Sequence, residues 1–350
     1  MVCIGCDQHK FFCQLAVLDE KGKMIQQQKL YHDDREALKR YFTSLPQGSE
    51  MAIEASGFES WLADFVQDLG IKVHLSNPLK TRAIAEAKIK TDKVDAKILA
   101  QLLYADLLPQ AYLAPPEVRR TRYFLRFRLC LNRYRSSLKN RVHSLLHFLG
   151  ISSPAVTDLF GVRGRQFLDS LKLGSGYHEV LEGYLSLLDA TEARINCLKK
   201  RLAATVKENP DAQLLESIPG IGVLLSQLTV AEIGAISRFP SAEKLCSYAG
   251  LVPSLHQSGQ TLYRGSCRKQ GNKFLRWAMV EAAQVASRKN PLLKDFYDRI
   301  KRKKGSQKAT VALARKLLVI VFHILTRKQP FAYYSYSGQA RALGTELRAR

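Results

Sequence analysis

The sequence predicts an α/β domain followed by a mostly helical remainder. Three observations carry that reading. Short apolar runs alternate with amphipathic segments over the first 114 residues, the pattern of strands and helices in turn. Beyond Ala114-Pro115-Pro116 the apolar residues recur at helical spacing for long stretches. Near the end of the first pattern, Asp92 and Asp95 head an apolar run (Ile98, Leu99, Leu102, Leu103) at helical spacing, which places both carboxylates on one helix face.

Taken in order, Val2 to Cys6 is an apolar strand ending at Asp7, and Phe11 to Leu18 is a second. Glu20-Lys21-Gly22 is a turn, and Lys23 to Tyr31 completes an antiparallel meander. Asp33 or Asp34 is placed to cap a helix running to Leu45, which Pro46-Gln47-Gly48 breaks. Met51 to Glu54 is a brief strand with a carboxylate at its end. Trp61, Leu62, Phe65, Val66 and Leu69 form an amphipathic helix stopped by Gly70. Lys72 to Leu75 is a strand, Asn77-Pro78 a turn, and a helical segment precedes the Asp92/Asp95 helix. Three strands, helix, strand, helix, strand, helix is the order of the ribonuclease H-like fold. There the first and fourth strands are neighbours and the last helix packs beside them, so Asp7, Glu54, Asp92 and Asp95 would converge. Acids gathered without a counter-charge raise one another's pKa values. Mg²⁺, a hard cation that takes carboxylate oxygens, removes that penalty, and a pair of ions can clamp both oxygens of a phosphodiester exchange. By themselves, two aspartates in a first helical turn also suit the helix dipole.

The helical part opens with Arg119, Arg120, Arg122, Arg126, Arg128, Arg133, Arg135, Lys139 and Arg141, with Glu117 as the nearby acid. A charge run is ordinarily a solvated helix face. One of nearly a single sign disfavours an isolated helix and suits a surface that tracks phosphates. His143 and His147 are four apart, but no Glu follows His143, so they are helix-face histidines rather than a zinc motif. Residues 150–176 are expected as a broken connector. Tyr177 to Val206 is a second long helix, and its apolar stripe fits either a hairpin partner or a dimeric coiled coil. After Asn209-Pro210, a helix, the turn Pro219-Gly220-Ile221-Gly222 and an apolar helix from Val223 to Ile233 make a helix-hairpin-helix pattern. Gly220 and Gly222 would let backbone N–H groups approach phosphate, and a plain αα-turn is the alternative. Ser258-Gly259 is followed by a basic loop with Arg264, Arg268, Lys269 and Lys273, then a helix starting near Asn272 and carrying Arg276. A serine beside glycine in a loop is ordinarily a turn residue. Arg299 to Lys304 is expected as a basic loop on nucleic acid, Ala309 to Thr326 as a core helix, and 335–350 as a loose tail.

Lys and Arg number 54 against 31 acidic residues in 350, a formal charge of +23. Such self-repulsion points to a polyanionic partner, nucleic acid before anionic membrane. Hydrophobic content of 46% excludes a disordered chain. The most apolar stretch, Leu317 to Leu325, is too short to span a bilayer. No basic-then-apolar signal pattern opens the chain, and a cytoplasmic location follows. The cysteines number seven, an odd count scattered over a long chain, which implies reduced thiols. Cys3 and Cys6 fall within a predicted strand with no second pair, which argues against zinc.

Several motifs match one family together. Ile4-Gly5-Cys6-Asp7, Ile53-Glu54-Ala55-Ser56-Gly57, Asn77-Pro78 and Lys90-Thr91-Asp92-Lys93-Val94-Asp95-Ala96 form one set. Ile218-Pro219-Gly220-Ile221-Gly222, Tyr248 to Pro253, Ser258-Gly259 and Gly271-Asn272-Lys273-Phe274-Leu275-Arg276 form the second. Over roughly residues 2 to 330 the chain resembles the DEDD transposases of bacterial insertion sequences, the family that includes Piv-type DNA invertases and bridge-RNA-guided recombinases. The resemblance implies a RuvC-like domain at 1–114, a helical, coiled-coil assembly region at 115–208, and a transposase domain with a catalytic serine at 209–334. Asp7, Glu54, Asp92 and Asp95 fall at the acidic, Mg²⁺-binding positions and Ser258 at the serine position. It further implies donor and target DNA as substrates, a structured guide (bridge) RNA as partner, action at the bacterial nucleoid, and a dimer or tetramer that builds its site across protomers. The residues alone also admit a RuvC-type nuclease that uses water, and a non-catalytic nucleic-acid-binding protein.

Overall fold

The computed structural model describes residues 2–57, 59–85, 91–206, 208–258, 261–267 and 270–331. Two compact units divide the chain, Met1–Pro116 and Glu117–Arg350.

In the first unit the elements run β1 (Cys3–Gln8), β2 (Phe12–Leu18), β3 (Met24–Tyr31), α1 (Arg35–Thr43), β4 (Glu50–Glu54), α2 (Ser60–Asp68), β5 (Lys72–Ser76), α3 (Pro78–Ile84), α4 (Asp92–Tyr104) and β6 (Gln110–Ala111). The sheet order is β3-β2-β1-β4-β5-β6. β1 to β3 are antiparallel, β4 and β5 run parallel to β1, and β6 returns antiparallel. Asp34 caps α1, its carboxylate accepting from the Ala37 N–H. Asn77-Pro78 is not a free turn. The Asn77 side chain accepts from the Lys80 N–H and Pro78 occupies the first helical position, where its missing N–H costs nothing, so the pair opens α3.

Because a strand alternates faces, β1 splits its residues between two layers. Ile4 and Cys6 face Leu15, Leu38, Phe42, Ile53, Leu62 and Val66, the core beneath α1 and α2. Cys3 faces Ala96 and Ala100 of α4 on the other side. Gly5 shares that second face, and a Cβ built on it would stand 1.9 Å from the Ala96 carbonyl oxygen and 2.5 Å from the Ala100 nitrogen. Only glycine leaves α4 room to lie directly on the strand. In β4, Met51 and Ile53 belong to the first core, and Ala52 meets Leu99 and Leu102 of α4.

The second unit opens with α5 (Pro116–Phe148), followed by α6 (Val162–Asp169), α7 (Ser175–Val206), α8 (Pro210–Glu216), α9 (Val223–Ile233), α10 (Ala242–Tyr248), β7 (Pro253–Ser258), β8 (Thr261–Cys267), α11 (Lys273–Lys289), α12 (Pro291–Lys304) and α13 (Ser306–Arg327). The two long helices make an antiparallel hairpin within the chain. Leu131 meets Ile195 and Leu198, and Val142 and Leu146 meet Leu181 and Leu185. The apolar stripe of α7 is therefore satisfied by the chain's own α5. The connector between them is not wholly irregular, since α6 inserts Leu168 beside Leu159 into the same cluster. Leu125, Leu129 and Leu202 share one core with α8 to α13.

Three further expectations change. Arg299 to Lys304 is the last part of a helix rather than a loop, because cations are favourable at a helix C-terminus and Gly305, at φ +82°, stops it. Arg264 lies on β8 and Ser258 on β7, in a two-stranded hairpin rather than a loop. The apolar stretch ending at Leu325 belongs to a 22-residue helix, long and apolar enough by composition to cross a membrane. Its Leu313, Leu317, Leu318 and Val321 are instead fully buried at the centre of the second unit. The tail 335–350 and residues Arg268, Lys269 and Gly259 lie outside the described residues.

Candidate active site

Asp7 continues the face of β1 that carries Cys3 and Gly5, and so points toward α4. Asp92 is the first residue of that helix and Asp95 lies in its first turn, with the Thr91 side chain capping the end. The Gly5–Ala96–Ala100 seam thus brings the helix start to the end of β1. Glu54 and Asp7 each stand one residue beyond the last paired positions of β1 and β4, Cys6 and Ile53, and Glu54 shares the face of Ala52. Sequence reasoning missed the histidine that joins Asp7 to Asp92. His9 Nε2 lies 3.1 Å from Asp7 Oδ2 and 3.4 Å from Asp92 Oδ2. Donor atoms of Asp7, His9 and Asp92 all fall within 4.8 Å of one another. Side-chain exposure is 14% for Asp7, 39% for His9 and 50% for Asp92, so the group is partly exposed to solvent.

Burial pushes the Asp7 carboxyl above its ordinary range. His9 opposes that shift, while the charges of Asp92 and Asp95 add to it. This is the electrostatics of a cluster that wants a cation. Two carboxylates and an imidazole at this spacing are a donor set that fits a divalent metal ion.

Comparison with known proteins places the chain among transposases. Residues 4–151 match the DEDD transposases of IS110 type, and residues 212–298 match the family described as "Transposase IS116/IS110/IS902 family". The transposase for insertion sequence element IS1111A from Coxiella burnetii is 28% identical over 339 residues, 94% of this chain and 90% of the relative. A probable family 20 transposase from Pseudomonas aeruginosa is 25% identical over 342 residues, 93% of this chain and 97% of the relative. The pilin gene-inverting protein of Moraxella bovis is 30% identical over 288 residues, covering 80% of this chain and 81% of the relative. The chain belongs to the IS110/IS116/IS902 family of transposases. It is accordingly a DNA transposase/recombinase of the insertion-sequence kind, from a family that commonly uses a divalent metal.

In this transposase the expected phosphate-contacting residues separate into groups. Arg122 and Arg126 do not stand on an open basic stripe. Arg126 Nε and Nη2 donate to the two oxygens of Glu232 at 2.8 Å each, and Arg122 donates to the carbonyls of Ala231 and Glu232 at 2.7 and 3.1 Å. Glu232 is fully buried and also accepts from Asn272 at 2.7 Å, and Asn272 in turn caps α11 through the Phe274 and Leu275 N–H groups. A buried carboxylate demands such partners, and these arginines are spent on it. Lys139 pairs with Glu192 at 3.7 Å and lies over Phe160, and Arg120 pairs with Glu117 on the surface. Gly220 packs closely against α11. At φ +94°, its missing Cβ is replaced by the Ala282 carbonyl of α11, 2.4 Å from where a side chain would begin. Gly222 starts α9 with open space before it. Arg133 and Arg141 line a groove of about 680 Å³ with Asn132, Lys273, Phe274 and Trp277, and its described lining contains no acid. Arg119 and Arg276 lie on α5 and α11. Ser258 closes β7, its backbone opposite Thr261.

Proposed function

We propose that this transposase cuts and rejoins DNA strands through a covalent phosphoserine link, with Asp7, Glu54, Asp92 and Asp95 holding Mg²⁺ or a related ion and Ser258 as nucleophile. The observation that carries the reading is the meeting of Asp7 and Asp92, with Asp95 in electrostatic reach, in a chain of this family. The strand order β3-β2-β1-β4-β5 with α4 laid on β1 supports a ribonuclease H-like, RuvC-like reading of residues 1–114. When bound, the metal supplies Lewis-acid relief of the charge that builds on the scissile phosphate. The Ser258 hydroxyl gives up its proton as its oxygen forms a bond to phosphorus. The bond from phosphorus to the departing strand's oxygen breaks, and that oxygen takes up a proton. One phosphodiester replaces another, so the link conserves the bond for rejoining.

Donor and target DNA, and a structured guide RNA, are the partners this reading assigns. The +23 charge and the acid-free groove beside Arg133, Arg141 and Lys273 support phosphate contact without a base-reading motif. Residues 115–208 would serve assembly and nucleic-acid contact, and 209–334 would carry the serine, in a dimer or tetramer acting on the cytoplasmic nucleoid. The test is recombination in cells beside the element's own flanking DNA, read by PCR across new junctions. Wild type should give junctions, and Ser258→Ala and Asp95→Ala should give none. Junctions from Ser258→Ala would sink the serine mechanism in favour of a water-driven RuvC reaction, and junctions from Asp95→Ala would sink the metal centre.

A further inference from the structure

Two of the acidic residues share a nitrogen neighbour. His9 Nε2 is 3.1 Å from one oxygen of Asp7 and 3.4 Å from one of Asp92. Ligands on adjacent positions of an octahedral ion with bonds of about 2.1 Å stand about 3 Å apart. The two separations therefore suit one ion held by all three side chains. Local non-covalent contacts hold the ring there. The His9 N–H donates to the Phe12 carbonyl at 2.9 Å, which folds the tight turn between β1 and β2. The imidazole stacks on the Phe12 ring, centroids 4.6 Å apart and planes 29° from parallel. The Lys29 ammonium lies 3.7 Å from the Phe12 ring centroid. A side chain so supported loses little freedom on binding an ion.

We infer that His9 is a ligand of the ion held by Asp7 and Asp92, and that this nitrogen makes the centre prefer a transition-series divalent cation, Mn²⁺, over Mg²⁺. The inference rests on the reading of the acids as a metal centre. Mg²⁺ takes oxygen ligands and keeps its waters, whereas imidazole is a ligand of first-row transition ions. A centre of carboxylates alone has no group with which to tell the two ions apart by ligand type. One with an imidazole in place does.

The experiment uses the full-length protein without DNA and Mn²⁺ itself as probe. Loss of the free-ion EPR signal measures affinity, Mg²⁺ competition measures preference, and pulsed EPR detects ¹⁴N coupled to the bound ion. Wild type should bind Mn²⁺ with a ¹⁴N coupling. His9→Ala should lose the coupling and bind Mn²⁺ about tenfold more weakly or worse, since even outer-shell partners of a metal site are worth that much. Its Mg²⁺ affinity should change far less. His9→Asn, which keeps a polar group of similar reach, should also lack the imidazole coupling, and both variants are checked for a wild-type melting curve. Bound Mn²⁺ without ¹⁴N coupling, or a coupling that survives in His9→Ala, overturns the assignment of His9 and leaves the metal centre standing. Asp7→Asn binding Mn²⁺ as wild type does, or no binding by wild type, removes the metal centre itself.

Discussion

Two carboxylates on adjacent strands of the first unit are driven in opposite directions by their neighbours. Asp7 is pushed up, by burial first. Glu50 is also desolvated, which raises it, but hydrogen bonds from Lys72 at 3.0 Å and His74 at 2.7 Å hold its carboxyl below its ordinary value of 4.5 overall. A depressed folded value means that the native state binds fewer protons than the unfolded chain as pH falls below 4.5. Glu50 therefore stabilises the fold fully above that pH, and the contribution disappears as pH falls through the depressed value. Glu50→Gln should lower the melting temperature at neutral pH and flatten its decline below about pH 4.5, which a thermal-shift series across pH reads directly. Residues of this kind differ in how visible they are in a sequence. Glu54 and Asp92 stand out because each ends or begins a recognisable element. His9 does not, because a lone histidine beyond a strand has no period to betray it, and only the turn closed by Phe12 brings it back to Asp7. Arg122 and Arg126 looked like phosphate ligands because Glu232, the partner of Arg126, lies 106 positions away, beyond the reach of any local pattern.

At the scale of elements, the distance between Asp7 and Asp92 is set by how closely α4 lies on β1, and Gly5 sets that approach. Gly5→Ala would place a methyl group within the Ala96 carbonyl's radius. Backbone cannot yield as a side-chain tip does, so the expected cost is about 3 kcal/mol, at the upper end for overpacking, measured by urea unfolding. The variant should also lose metal affinity, because Asp92 and Asp95 move with the helix. Most of the elements were readable from period alone: the meander, α1, α2, α4 and the two long helices. Gly5 could have been read as well, since a glycine within an apolar strand marks a close backbone approach. The choice of a hairpin for α5 and α7 was not readable, because a heptad-like stripe is satisfied equally by either partner. The helix α12 was missed where its C-terminal cations resembled a basic loop on nucleic acid.

The whole molecule consists of two units with separate cores, and the first is closed by Pro116. A fragment of residues 1–116 should fold alone, giving a cooperative melt and the circular dichroism of a mixed α/β domain. A fragment without a transition would show that this core needs the rest of the chain. The second unit is built differently. Its core is assembled around α13, the last helix described, whose Leu313, Leu317, Leu318 and Val321 lie among side chains of α8 to α11. On the ribosome, where domains fold in the order they emerge, this arrangement separates two events in time. The acidic half can be complete while the serine-bearing half is still being made. That half cannot close its core until residues near 327 have left the exit tunnel. A polypeptide released early would therefore retain a folded cluster of acids but no finished core around the hairpin that carries Ser258, and could not carry out the serine step proposed above.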